Sequence, residues 1–235
     1  MIRTTARWWA SLLVALAAVF ANALPAVAAL PPQQNVPTLE AGGPAQSVVY
    51  PPDHEVYSPG YVYVQAPPHT RIVGLDLACS GDHSCSTSIA PDGQSAQGHF
   101  TGENTHFDAP HTIDLVADSD APYEGGTFTG SYSFKGDTQP LTVKIAPGTP
   151  GDLAARLRNT TPIGDGVRVV SVDPDSSTSR TLLPGDRIVA FAGQDTPTAN
   201  DLDRALRNRR AGGTFPVAVI RDGNRITIPV TLDPA

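Results

Sequence analysis

Glycine and proline punctuate this sequence so densely that long helices have little room to form. Twenty-three prolines and twenty-one glycines are spread over 235 residues. Between residues 47 and 147 they combine with Asn and Asp to cut the apolar text into short runs, at residues 61–64, 72–77, 112–116, 127–134 and 141–145. No helical pattern there reaches ten residues. Phe128, Tyr132 and Phe134 alternate with Thr and Ser, which is the period of a half-buried strand. Short strands separated by turn-forming residues predict a mainly β chain, with a small β-sandwich over residues 47–147.

Charge divides the chain into three parts. Residues 1–28 carry Arg3 and Arg7 and no acid. Residues 29–147 carry a net charge of −10, and residues 148–235 a net charge of +1. A strongly acidic block followed by a balanced one does not suit a nucleic-acid partner. The first part has a cationic start, an apolar run over residues 8–23, the helix breaker Pro25 and then Ala26-Val-Ala28. That order predicts a secretory signal peptide over residues 1–28, cleaved after Ala28. The run is short for a membrane anchor, and no other stretch would span a bilayer after its removal. The chain is therefore expected to be secreted or extracytoplasmic, in the periplasm, cell wall or medium. Residues 29–46 are proline-rich with little apolar periodicity and read as an extended linker.

Export changes how the cysteines read. Cys79 and Cys85 are the only two, and an even, close pair in an oxidising compartment predicts a disulfide. All six histidines lie in the acidic block, with His99, His106 and His111 clustered in sequence beside Glu103 and Asp108. Imidazoles and carboxylates together can bind zinc or copper, which makes a metal-binding envelope protein one alternative. The spacing matches no ligand motif, however, and histidines in loop-like text on an acidic surface are expected to be solvated. No cofactor is expected. Residues 93–98 are the nearest approach to a framed serine but lack Gly-x-Ser-x-Gly spacing. No phosphate-cradling Gly-x-x-x-x-Gly-Lys occurs either. Intrinsic catalysis is not expected.

The last block reads as a sequence of defined elements. A strand over residues 166–172 ends at the turn Asp173-Pro-Asp175, and Pro184-Gly-Asp186 launches a buried strand over residues 187–191. A further turn precedes a helix over residues 199–208, with Thr198 as N-cap, Asp201 and Asp203 early, and arginines late. Two strand runs around Asp222-Gly223 form a hairpin.

This order, the Leu183-Pro-Gly-Asp-Arg-Ile188 turn and the following Gly193-Gln194 resemble a bacterial PDZ domain of the type attached to HtrA/DegP envelope proteases, over residues 150–235. The resemblance implies an α+β domain, a partly open β-barrel with a flanking helix. It also implies peptide binding, in which an extended segment or a protein C-terminus adds to one strand beside the helix. Its carboxylate would be held by backbone N–H groups of a glycine-containing loop. Leu202, Ala205 and Leu206 then line either groove or core. The family's Gly-Leu-Gly-Phe-type loop has no obvious counterpart. Residues 152–157 resemble the short helix that follows the receiving strand, which would place that strand at residues 141–145. Alternatively, Ile163, Gly164, Asp165 and Gly166 form a reduced loop, although Asp165 opposes a carboxylate. The expectation is an exported, non-catalytic interaction protein that binds extended peptides or C-termini. The alternative within the same resemblance is an accessory subunit of an HtrA-like protease, with an envelope protease as partner.

Overall fold

A computed structural model describes residues 32–51, 60–79, 84–101, 110–134 and 136–235. The signal segment with Ala28, and His106, lie outside these residues. The mainly β expectation holds, with strands dominating and one α-helix among the described residues.

The first half is built from β1 (Thr38–Leu39), β2 (Gln46–Tyr50), β3 (Gly60–Gln65), β4 (Thr70–Asp76), β5 (Ser84–Ile89), β6 (Ser95–Thr101), β7 (His111–Ala117), β8 (Gly126–Phe134) and β9 (Asp137–Ile145). They form a six-stranded sheet in the order β1-β9-β8-β3-β6-β5 and a three-stranded sheet β2-β7-β4. Inward residues of both sheets share one core, among them Val48, Ile72, Ile113 and Leu115 from one side and Val62, Phe100, Phe134 and Val143 from the other. This is a β-sandwich, and its alternation is plainest in β7, where every second residue from His111 to Ala117 is buried. Tyr50 stacks on Tyr132 with centroids 4.1 Å apart and donates its hydroxyl to the Pro140 carbonyl at 2.8 Å. Burial pushes its phenol well above the ordinary value. Within the proline-rich stretch ahead of residue 47, Thr38 and Leu39 pair in parallel with Lys144 and Ile145, and Leu39 is fully buried in the core.

The second half comprises β10 (Gly151–Asp152), β11 (Ala155–Asn159), β12 (Val167–Val172), β13 (Arg187–Phe191), β14 (Gln194–Asp195), α1 (Ala199–Leu206), β15 (Thr214–Arg221), β16 (Asn224–Thr231) and β17 (Asp233–Pro234), with one 3-10 turn at Thr178–Arg180. Its main sheet runs β11-β12-β13-β15-β16, and α1 closes over a separate core containing Val167, Val169, Ile188, Phe191, Leu202, Phe215 and Val217. The Asp222-Gly223 hairpin forms as expected, with φ values of 51° and 80° that suit a primed two-residue turn.

The halves meet at Arg210. Its side chain is 8% exposed and donates to the carbonyls of Ala121, Pro122 and Ala146 at 3.4, 3.1 and 2.6 Å. The connecting chain passes so close that a Cβ on Gly148 would lie 2.5 Å from Arg210 Nη1. Gly148 N–H donates to Tyr123 O at 2.6 Å, and Tyr123 N–H to Asn208 O at 3.3 Å.

Candidate functional site

The second sheet ends on an open strand. β11 pairs with β12 along one side, and no strand among the described residues takes its other side. Residues 152–157, expected to form the short helix after the receiving strand, instead contribute to β10 and β11. Alternation explains the correction, because Ala155 and Leu157 turn toward the core while Arg156 and Arg158 face solvent. The alternative receiving strand at residues 141–145 lies within β9, which is paired on both sides, with β1 and with β8.

Helix α1 lies alongside β11 and β13. It starts at Thr198, whose side chain accepts from Asp201 N–H at 3.3 Å. Asn159, the last residue of β11, accepts the Ala199 N–H on its Oδ1 at 2.7 Å, tying strand end to helix start. Leu202 and Ala205 are 0% and 4% exposed and belong to the core. The partly buried apolar residues on facing elements are Ala155 and Leu157 of β11 and Ala199 and Leu206 of α1, all packed against that core. The helix closes at Leu206, and Arg207 is its C-cap.

The two ends of the β11–α1 pair differ. Near the helix start, Ile163, Gly164, Asp165 and Gly166 lie in the connection between β11 and β12. Ile163 is 71% exposed, and Gly166 N–H donates to Pro197 O at 3.1 Å. Near the helix end, β11 is entered through Leu153, fully buried, and Ala154, whose φ of 45° is left-handed. Leu153 N–H donates to the Asp152 carboxylate at 2.7 Å, and Ala154 O accepts from Asp173 N–H at 2.9 Å. A cavity of about 290 Å³ opens here between Gly151-Asp152 and residues 203–209, with Tyr123 from the sandwich in its wall. Sequence reasoning missed this entry because the left-handed position holds alanine, and no glycine signals the turn.

The remaining candidates lie elsewhere. Cys79 and Cys85 form the expected disulfide, with Cα atoms 6.0 Å apart. His99 and His111, expected in loops, are in strands. His99 stacks on Tyr61 at 4.6 Å between centroids, whereas His111 is 5% exposed and its Nδ1 meets the Tyr132 hydroxyl inside the sandwich. Pairing of β6 and β7 with their neighbours put these residues into the sheets. Among the described residues, no three His, Cys, Asp or Glu side chains gather as a metal site would require. No helix among them is long and apolar enough to cross a membrane.

Comparison with known proteins agrees with the second half of the fold. Residues 151–232 match the family model described as PDZ domain, so the PDZ resemblance read from the sequence is borne out over that part. No curated protein matches the chain. Among solved structures, it is similar to two of the HtrA-type protease AlgW with decapeptide. These show 12 and 13% identity and TM-scores of 0.35 and 0.34, over 80% of this chain and 81 and 82% of those chains. It is also similar to the serine endoprotease from Yersinia pestis, at 12% identity and a TM-score of 0.28, over 77% of this chain and 96% of that one.

Proposed function

We propose that this chain is an exported, non-catalytic binding protein whose PDZ domain receives an extended peptide segment on the open side of β11, beside α1. The observation that carries the reading is the unpaired strand itself. Backbone N–H and C=O groups along an open edge are a template for a further strand. Ala155, Leu157, Ala199 and Leu206, which are only partly buried against the core, leave apolar surface for that strand's side chains. The signal pattern of residues 1–28 and the Cys79–Cys85 disulfide support an extracytoplasmic setting.

The entry to β11 favours an extended segment over a capture mode that depends on a free carboxylate. Leu153 N–H already donates to Asp152, so a ligand carboxylate would have to displace that acid to reach the N–H. Asp152 and Asp203 in the cavity wall are matched by Arg207 and Arg209, so the cavity offers no net charge that selects a free carboxylate. The test is a peptide array probed with the purified chain, each peptide made with both a free and an amidated C-terminus. Selected extended peptides are expected to bind equally in both forms. In NMR titrations their shifts should fall on residues 155–159 and 199–206. Absence of enrichment over scrambled peptides overturns the reading. Loss of binding on amidation overturns the preference for internal segments.

A further inference from the structure

The outer face of the PDZ sheet carries an arrangement that neither the fold nor the groove requires. Arg158 on β11 stands directly opposite Arg168 on β12, and Arg168 directly opposite Arg187 on β13. Three guanidinium groups thus occupy neighbouring positions across three strands. Like charges directly opposite one another in a sheet are destabilising. Neither Arg158 nor Arg168 has an ion-pair partner among the described residues. Arg187 has only Asp165, at 3.8 Å, with both side chains more than a third exposed. Such a long, solvated contact is weak and easily displaced.

The three arginines line one concave cavity of about 590 Å³, together with Thr160, Thr161 and Gly185. Two carboxylates, Asp165 and Asp222, share its wall and are outnumbered by the guanidinium groups. Adjacent strands lie roughly 4.8 Å apart, so the row extends over about 10 Å. Two linked phosphate groups are shorter than this row, and the long arginine stems can converge on them so that each phosphate meets a planar guanidinium fork. A concave recess of this volume is in the range of small-ligand sites, whereas a protein partner needs a broad surface.

We propose that this recess is an anion site for a group bearing two phosphates, presented by a soluble compound or by a lipid headgroup. It lies on the solvent-facing side of the sheet and adjoins the peptide-receiving edge, with which it shares Arg158 and Asn159 of β11.

The test uses the purified chain with inorganic pyrophosphate in calorimetric titration. In a second arm, it uses vesicles of phosphatidylcholine with and without cardiolipin. Pyrophosphate is expected to bind one to one, more weakly as salt rises, and to raise the melting temperature. Arg158→Gln, Arg168→Gln and Arg187→Gln should each weaken it about tenfold, the loss of one charge-assisted contact. Arg225→Gln, on β16 and outside the recess, should leave it unchanged. Without ligand, Arg168→Gln should raise the melting temperature, because it removes the charge flanked on both sides. Binding to cardiolipin vesicles without binding to pyrophosphate would assign the phosphates to a lipid headgroup. The proposal is overturned if neither probe binds or if the triple Gln variant binds pyrophosphate as well as the parent. It is also overturned if the row instead mediates self-association or takes only acidic peptides.

Discussion

Replacing Arg221 with alanine should be among the most damaging single changes in the PDZ half. Asp186 lies immediately before β13, inside the domain, with its side chain 1% exposed. Arg221 grips it twice, from Nε and Nη2 at 2.7 Å each. Leu183 N–H adds a bond at 2.8 Å, and Arg221 also holds the Thr181 carbonyl at 2.8 Å. Removing the guanidinium leaves a buried carboxylate with one donor. Breaking a buried pair this way costs about 3–5 kcal/mol, and the 27% exposure of the Arg221 side chain admits water and favours about 3 kcal/mol. With both halves unfolding together, that lowers Tm by roughly 6–12 °C in calorimetry. The pH dependence has a definite sign. Burial works to raise the Asp186 pKa, but the Arg221 hydrogen bonds, the Leu183 N–H and the Arg221 charge together hold it below the ordinary value. The parent therefore has this stabilisation above the unfolded carboxyl value of about 3.9 and loses it as pH falls through the lower folded value. In Arg221→Ala, burial acts without Arg221, so the folded pKa rises and stability is lost as pH rises through it. The gap between parent and variant should be widest at neutral pH and narrow in acid. Adding Asp186→Asn should recover stability in the variant while costing it in the parent. A neutral-pH loss under about 1 kcal/mol, with a gap indifferent to pH, would refute the argument.

Three further outcomes follow from single features. Ala154→Gly removes a left-handed alanine at φ 45° and should stabilise the PDZ half by roughly 0.5–1 kcal/mol in urea unfolding, the relief of strain exceeding the added chain entropy. Arg210→Ala breaks three hydrogen bonds to sandwich carbonyls and should cost about 3 kcal/mol. All six tyrosines lie in residues 29–147 and both tryptophans in residues 1–28, so tyrosine fluorescence of the chain without residues 1–28 reports the first half alone. It should unfold together with the far-UV CD signal in the parent and apart from it in the Arg210 variant. Replacing Cys79 and Cys85 with serine opens a short loop and should cost the sandwich about 2 kcal/mol by the same fluorescence assay.

What the sequence conveyed was period and punctuation. Strands with apolar alternation, such as residues 127–134, and turns written in Asp-Gly or Pro-Gly-Asp were legible because their local chemistry and their tertiary role agree. Residues 155–157 misled because Ala, Arg and Leu are good helix formers. Pairing with β12 overrides that preference once Leu157 can reach the core. β5 was illegible for the opposite reason: Ser84–Ile89 is nearly all polar or exposed along an edge, so it carries no alternation to detect. Both the receiving edge and the arginine row depend on which strands become neighbours. The row joins residues 158, 168 and 187, and nothing in their spacing along the chain announces that they meet.

The division of the chain by charge is not where its mechanics divide. Arg210 belongs to the nearly neutral half, yet its three side-chain acceptors, Ala121, Pro122 and Ala146, all belong to the acidic one. Gly151 N–H donates to Arg209 O, and Ala211 N–H to Thr149 O, so the connecting residues are paired in place and do not act as a free hinge. Tyr123, from the sandwich, is held between Asn208 and Gly148 and lines the cavity at the entry to β11. A fragment cut to the PDZ match at residues 151–232 would lose that wall and leave the Arg210 guanidinium without those acceptors. The cavity at the β11 entry, where the proposed peptide groove begins, is therefore lined from both halves. Its ligand preference at the β11 entry should change with Tyr123 even though Tyr123 lies outside the PDZ domain.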